Sequence, residues 1–178
     1  MGWLQDIGVA EVYAHDIQGL NPLLEAMSAR GMPISLETRA QVLEAVQQQR
    51  DHLLVEIRAL VPEAVCKLKV YKKKPSVRLP FVPSTQQLVT YLKHQGLRVP
   101  KKDGRDTTEE TALRRLALAN PQDPVLPLVL HYREVEKDRQ FVEGLQPGPD
   151  GCLHTVFTHN PSTLRLASER PNLQNLPR

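Results

Sequence analysis

From Ser35 onward, apolar residues recur at a helical spacing along a mostly polar background. Leu43, Val46, Leu53, Ile57, Leu60 and Ala64 fall at heptad positions that only Arg50 interrupts. Ser35 suits an N-cap, and Glu37 suits the positive end of a helix. The pattern predicts one long helix from Leu36 to about Leu60, roughly 37 Å in length. Its single apolar seam needs a partner, and the heptads are too few for a self-sufficient coiled coil. An antiparallel helix later in the same chain is expected instead. Residues 124–144 supply it. Asp123 is its cap, Pro124 takes the first position, and Val125, Leu128, Val129, Tyr132 and Val135 form its apolar face up to Gly144.

Shorter elements carry their own signals. Asn21-Pro22 opens a short helix, Leu23 to Ala29. Ser84-Thr85-Gln86-Gln87 reads as a capping box, with Ser84 at the N-cap and Gln87 at N3. The helix it starts turns Leu88 and Leu92 inward and ends at Gly96. A second box, Thr107-Thr108-Glu109-Glu110, opens a helix carrying Leu113 and Leu116 that Asn120-Pro121 ends. The basic stretch Lys67 to Arg105, within which the first box lies, is punctuated by Pro75, Pro80, Pro83 and Pro100 and is expected to be largely loop. At Gly144 the character changes: LQPGPDG is a turn, and Cys152 to Thr158 reads as a β-strand. The composition shift over 144–151 marks a domain boundary. The expected fold class is therefore mainly α (α+β), a long antiparallel helical hairpin with a small helical basic tip, followed by a short β element.

Composition narrows the partner class. The 178 residues include 15 prolines and only 4% aromatics, so the core must be mostly aliphatic. No apolar run reaches the roughly 18 residues of a membrane span. The N-terminus lacks a secretory layout, and Asp6 breaks a myristoylation pattern. Cys66 and Cys152 belong to no C-x-x-C, which reads as two reduced cysteines in a cytoplasmic protein. The net charge of +3 conceals a segregation: Lys67 to Arg105 holds 11 Lys/Arg against Asp103 alone, leaving −7 elsewhere. Such a segment attracts a polyanion, because cations that neutralise phosphates release counterions.

The stretch Thr163–Arg178, TLRLASERPNLQNLPR, resembles a signature of the family A DNA polymerases, bacterial DNA polymerase I and its bacteriophage relatives. There a T-G-R-L-S-S run precedes P-N-L-Q-N-I-P, just ahead of the first catalytic aspartate. Upstream, FVPSTQQLVTYLKHQG resembles F-N-P-S-S-x-x-Q-L-x-x-Y-L. The stretch TALRRLALANPQDPVLPLVLHYREVEKDRQFVEG resembles the segment ending in a Y-R-x-x-x-K helix. DGCLHTVFTHNPSTLRLAS resembles D-G-R-V-H-T-x-F-x-x-x-x-T-G-R-L-S-S, and PLLEAMSARGMPIS the approach to the thumb. These segments stand in the family's order and cover nearly the whole chain. The resemblance implies a connector from a missing exonuclease-like domain over 1–34, a thumb over 35–146, and the start of a palm over 147–178. It implies primer–template double-stranded DNA as the partner, gripped by the thumb tip.

Candidate contacts follow. A capped helix N-terminus at Ser84 presents free N–H groups to a phosphate. Lys72, Lys73, Lys74, Lys101 and Lys102 supply a sequence-independent attraction. Arg133 and Lys137, at i and i+4 opposite Tyr132 and Val135, match the family's Y-R-x-x-x-K. The alternative for them is an intrahelical ion-pair face with Glu134, Glu136 and Asp138. The resemblance places Arg165 near the primer-terminal base pair. Asn172, Gln174 and Asn175 bring amides suited to minor-groove edges, or else form a polar turn. His154 and His159 have no ligand set to complete a metal site and read as structural. Four positions depart from the family pattern: Leu164 for glycine, Ala167 for serine, Cys152 for arginine and Val82 for asparagine.

The family's D-Y-S-x-x-E, nucleotide-binding helix and H-D-E segments are absent, so no catalytic or metal-binding residue is assigned. No cofactor is expected in this chain; Mg2+ belongs to a complete polymerase. The origin expected is a truncated frame, with a split polymerase joined by its missing C-terminal half, or a relic, as the other cases. Two different readings stay open, a free-standing non-catalytic DNA-binding module and a helical-hairpin interaction protein. The expected location is the cytoplasm of a bacterial cell or phage-infected host, with no membrane.

Overall fold

A computed structural model describes residues 10–12, 14, 18–70, 75–159 and 165–174. Its helices are α1 (Asn21–Arg30), α2 (Leu36–Leu60), α3 (Thr85–His94), α4 (Glu110–Ala119) and α5 (Val125–Gly144), with single turns at Ala10–Val12 and Glu63–Val65. Short strands pair antiparallel in twos: β1 (Met32–Pro33) with β6 (Cys152–Leu153), and β2 (Leu68–Lys69) with β3 (Val77–Arg78). Likewise β4 (Lys101–Lys102) pairs with β5 (Arg105–Asp106), and β7 (Val156–His159) with β8 (Leu166–Glu169). Of the described residues 55% are helical, which places the fold in the mainly-α, α+β class. It divides into two compact units, residues 44–139 and residues 1–43 with 140–178.

In the unit 44–139, Leu53, Leu54 and Ile57 of α2 bury against Val125, Leu126, Val129, Tyr132 and Val135 of α5. Leu88, Tyr91 and Leu92 of α3, Leu113 of α4 and Phe81 complete this core. Each large side chain buried this way contributes roughly 1.5–3 kcal/mol of transfer free energy. Contacts step down α5 as they step up α2. In this unit Gln49 meets His131 at 3.2 Å and Arg50 meets Glu136 at 2.7 Å; within the other unit, Arg39 of α2 donates to the Val142 and Glu143 carbonyls of α5. The antiparallel hairpin is therefore the partner the seam required. Arg50 interrupts that seam because its guanidinium lies 5.8 Å over the Tyr132 ring while pairing with Glu136.

Several expectations are corrected here. Leu60 is 46% exposed and Ala64 is exposed, because α2 ends ahead of Pro62 and Val61 and Val65 turn inward instead. Helix α1 starts earlier, at Asn21, and runs to Arg30. Helix α4 starts at Glu110 rather than at the second box: the Thr107 hydroxyl accepts from Glu109 N at 3.3 Å, and Thr108 is buried in the segment before the helix. The basic stretch holds two hairpins as well as loop. One of them turns on Asp103-Gly104, both in the left-handed region at φ 51° and 75°, which suits the right-handed twist of the flanking strands.

In the other unit, the expected strand 152–158 is broken at His154-Thr155. Leu153 pairs with Met32, whereas Val156 pairs with Glu169. The break has a cause: Thr155 is buried, and its hydroxyl lies 2.9 Å from the Glu169 carbonyl and 2.7 Å from that of Pro171. Helix α1 packs on β7, and the Ser28 hydroxyl accepts from Phe157 N at 3.2 Å.

Candidate nucleic-acid interface

The tip of the unit 44–139 is built on two helix starts. Ser84 is in extended conformation, and its Oγ accepts from Gln87 N at 3.4 Å. Gln87 Oε1 reaches back to Val82 N at 2.8 Å, two residues beyond the usual capping-box target. Just before α4, the Thr108 hydroxyl donates to Thr85 Oγ1 at 3.3 Å, which sets the starts of α3 and α4 side by side. Arg133 of α5 fastens both. Its guanidinium donates to the Thr108 carbonyl, to Thr108 Oγ1 at 3.1 Å and to the Pro83 carbonyl at 3.5 Å. Burial works against the Arg133 cation and lowers its pKa, while the charge of Glu110 partly offsets this.

Lys137, one turn along α5 from Arg133, places Nζ 2.6 Å from Glu110 Oε2. Arg114 holds the other oxygen at 2.8 Å. Hydrogen bonding to Lys137 first, then to Arg114, keeps the Glu110 carboxyl below the usual carboxylate range. Lys102 likewise meets Glu109 at 2.7 Å, and Lys93 meets Asp106 at 3.1 Å. The cations of the tip thus carry local carboxylates. Exposed pairs of this kind contribute at most about 1 kcal/mol, so an incoming phosphate can replace the carboxylate. Ser84, Arg133 and Lys137 come together through these bonds, with Lys101 and Lys102 on the neighbouring β4–β5 hairpin. The ion pairs of Lys137 run between helices, to α4, rather than along α5 to Glu134, Glu136 or Asp138. Lys72, Lys73, Lys74 and Asn175 lie outside the described residues, as does Leu164.

In the other unit, Arg165 is exposed and stands immediately before β8, whose Leu166 faces His159. The amides beyond it are partly used within the turn. Asn172 Oδ1 accepts from Gln174 N at 3.0 Å, and Gln174 Nε2 donates to the Leu166 carbonyl at 2.8 Å. Buried Ser168 accepts from Leu173 N at 2.9 Å. The polar turn and the outward amides coexist: Asn172 Nδ2 and Gln174 Oε1 have no partner among the described residues. His154 serves structure. Its Nδ1 lies 2.9 Å from the Ser28 carbonyl and its Nε2 2.9 Å from Asp150. Ala167 sits in β8 opposite Thr158, and Cys152 in β6 opposite Pro33.

Sequence reasoning missed Thr108, Glu110 and Arg114 as members of this network. The available signal was the pair Glu109-Glu110, acids set beside a strongly basic segment.

No family model matches the chain. DNA polymerase I of Deinococcus radiodurans is 36% identical over 104 residues, covering 54% of this chain and 11% of that protein. The thermostable DNA polymerase I of Thermus filiformis is 38% identical over 84 residues, covering 43% of this chain and 10% of its own length. The solved POL domain of Pol1 from M. smegmatis, in complex with DNA primer-template and dNTP, superposes with a TM-score of 0.68. That likeness covers 87% of this chain at 25% identity. The chain is thus similar, over the stretches matched, to polymerases of the DNA polymerase I type. It spans about a tenth of the curated relatives it matches and 25% of the solved polymerase domain. Family A chemistry uses Mg2+, but among the described residues no three His, Cys, Asp or Glu side chains converge to hold a metal. No catalytic step is assigned to this chain. Among its described residues no helix is long and apolar enough to cross a membrane.

Proposed function

We propose that the chain is the duplex-gripping thumb of a DNA-directed DNA polymerase, residues 35–146, followed by the first palm strands, residues 147–178. Residues 1–34 connect it to an upstream exonuclease-like domain. The observation that carries this reading is the likeness, over 87% of the chain, to a polymerase domain solved with primer-template DNA. The tip supports it chemically. Helix starts at Thr85 and Glu110 offer backbone N–H groups, Lys102 and Lys137 exchange exposed carboxylates for phosphates, and Lys101 adds an exposed cation. Arg133 acts behind this surface by holding the two helix starts. Arg165 and the free Asn172 Nδ2 donate to minor-groove acceptors that every base pair presents, whereas the free Gln174 Oε1 can only accept, as from a guanine amino group. Catalytic carboxylates and Mg2+ come from the remainder of the polymerase, in the cytoplasm.

The test is a fluorescence-anisotropy titration with a labelled primer–template duplex over a range of salt. If about five phosphates are neutralised, log K falls against log salt with a slope near −4.5, with little dependence on sequence. A slope near zero sinks the reading.

A further inference from the structure

On the opposite side of α4 from Lys137 lies a second surface, of which the DNA reading uses Lys101 alone. Glu110 and Arg114 face Lys137, whereas Ala112, Arg115, Leu116 and Ala119 line a groove of about 1020 Å³. At 100° per residue these sets occupy opposing faces of the helix. The floor is apolar and half-buried: Leu97, Val99, Pro100 and Leu116. The rim is cationic. Arg98, Lys101 and Arg115 are exposed and have no side-chain partner among the described residues. The acid at the rim, Asp106, is already bound to Lys93 at 3.1 Å.

We propose that this groove docks an acidic amphipathic helix from a protein partner. An apolar floor between unpaired cations is the complement of a helix with leucine-type anchors on one face and carboxylates along its flanks. Nucleic acid fits less well, since no aromatic side chain lines the groove to stack a base and the floor offers phosphates few donors. The proposal goes beyond duplex gripping and does not depend on it.

The experiment uses the full chain and a fluorescein-labelled helical peptide of about 16 residues, with leucines at i, i+3, i+4 and i+7 and glutamates on both flanks. Binding is expected by anisotropy, and a peptide with glutamine for every glutamate should bind at least about tenfold more weakly. Arg98→Gln combined with Arg115→Gln should weaken the acidic peptide similarly. Ala119→Trp fills the groove from an exposed position without altering charge. It should abolish peptide binding while duplex affinity and the circular-dichroism melt stay unchanged. Absence of peptide binding, or equal binding of the glutamine peptide, overturns the proposal while leaving duplex binding intact. Competitive displacement of the peptide by duplex overturns it too and assigns the groove to nucleic acid. Concentration-dependent self-association that Ala119→Trp removes assigns it instead to a second copy of the chain.

Discussion

Lys137 Nζ stands 2.6 Å from Oε2 of Glu110, the first residue of the neighbouring helix α4. On the duplex-gripping function proposed above, a cation that would meet phosphate is held by a carboxylate until DNA binds. On that proposed function the pair would gate affinity, because duplex would have to displace Glu110 before Lys137 and Arg114 could reach a phosphate. Glu110→Gln removes that competition and its repulsion. Duplex affinity should rise by about three- to tenfold, with a salt slope steeper by about one. Loss of the exposed pairs should cost no more than about 1 kcal/mol of stability. Salt-dependent anisotropy checks this, and an unchanged slope would remove Lys137 from the interface.

Arg133 behaves differently, being spent on the fold. Its bonds to Thr108 and Pro83 join the segments that start α4 and α3. Arg133→Ala leaves half-buried acceptors unpaired and should destabilise the chain by about 2–3 kcal/mol. Arg133→Lys should recover less than about half of that, since an ammonium cannot reproduce the planar fork. Urea unfolding measures both. A variant of normal stability that has lost duplex affinity would place Arg133 on the DNA instead.

The start of α3 rests on Ser84 and on the reach of Gln87 to Val82 N. Ser84→Ala should cost about 1 kcal/mol, and Ser84→Gly only a few tenths. Gln87→Ala should add to the Ser84→Ala loss less than additively, because both secure the same turn. A double-mutant cycle by thermal unfolding gives the coupling.

His154 ties the unit 1–43 with 140–178 to pH. Its two ring nitrogens face a carbonyl and a carboxylate, and only the imidazolium has an N–H for each. The bond to the Ser28 carbonyl first, then that to Asp150, raises its pKa above the ordinary 6.5. The stabilisation is therefore complete below about 6.5 and is lost as pH climbs through the raised value. Asp150 is held below its ordinary 3.8, chiefly by the bond from Cys152 N and then by that to His154. Its contribution is present above 3.8 and disappears as pH falls through the lowered value. The clamp is strongest between these limits. Thermal melts should show the wild type losing stability from pH 6 to pH 8 relative to His154→Gln. Parallel profiles for the two proteins would remove His154 from the pH response.

Local signals carried much of this molecule. Heptad spacing marked α2 and its return partner α5, and Ser35, Ser84 and Asp123 each accept the backbone N–H bonds their positions imply. These features are legible because periodicity and capping are decided within a few residues. The Asp103-Gly104 turn was equally local, but it was hidden inside a charge run that suggested loop.

Where the sequence misled, the deciding partner was distant. Thr108 looked like part of a cap, yet its hydroxyl and carbonyl are taken by Arg133, 25 residues on. The strand expected over Cys152 to Thr158 broke because Met32 pairs with one half and Glu169 with the other. By itself the sequence determined the helical class, the family signature and the excess of positive charge at the tip. Only the tertiary structure decided which carboxylate neutralises which cation. Charge counts along a chain are additive, but Coulomb energy depends on separations of a few ångströms that packing creates between residues far apart in sequence.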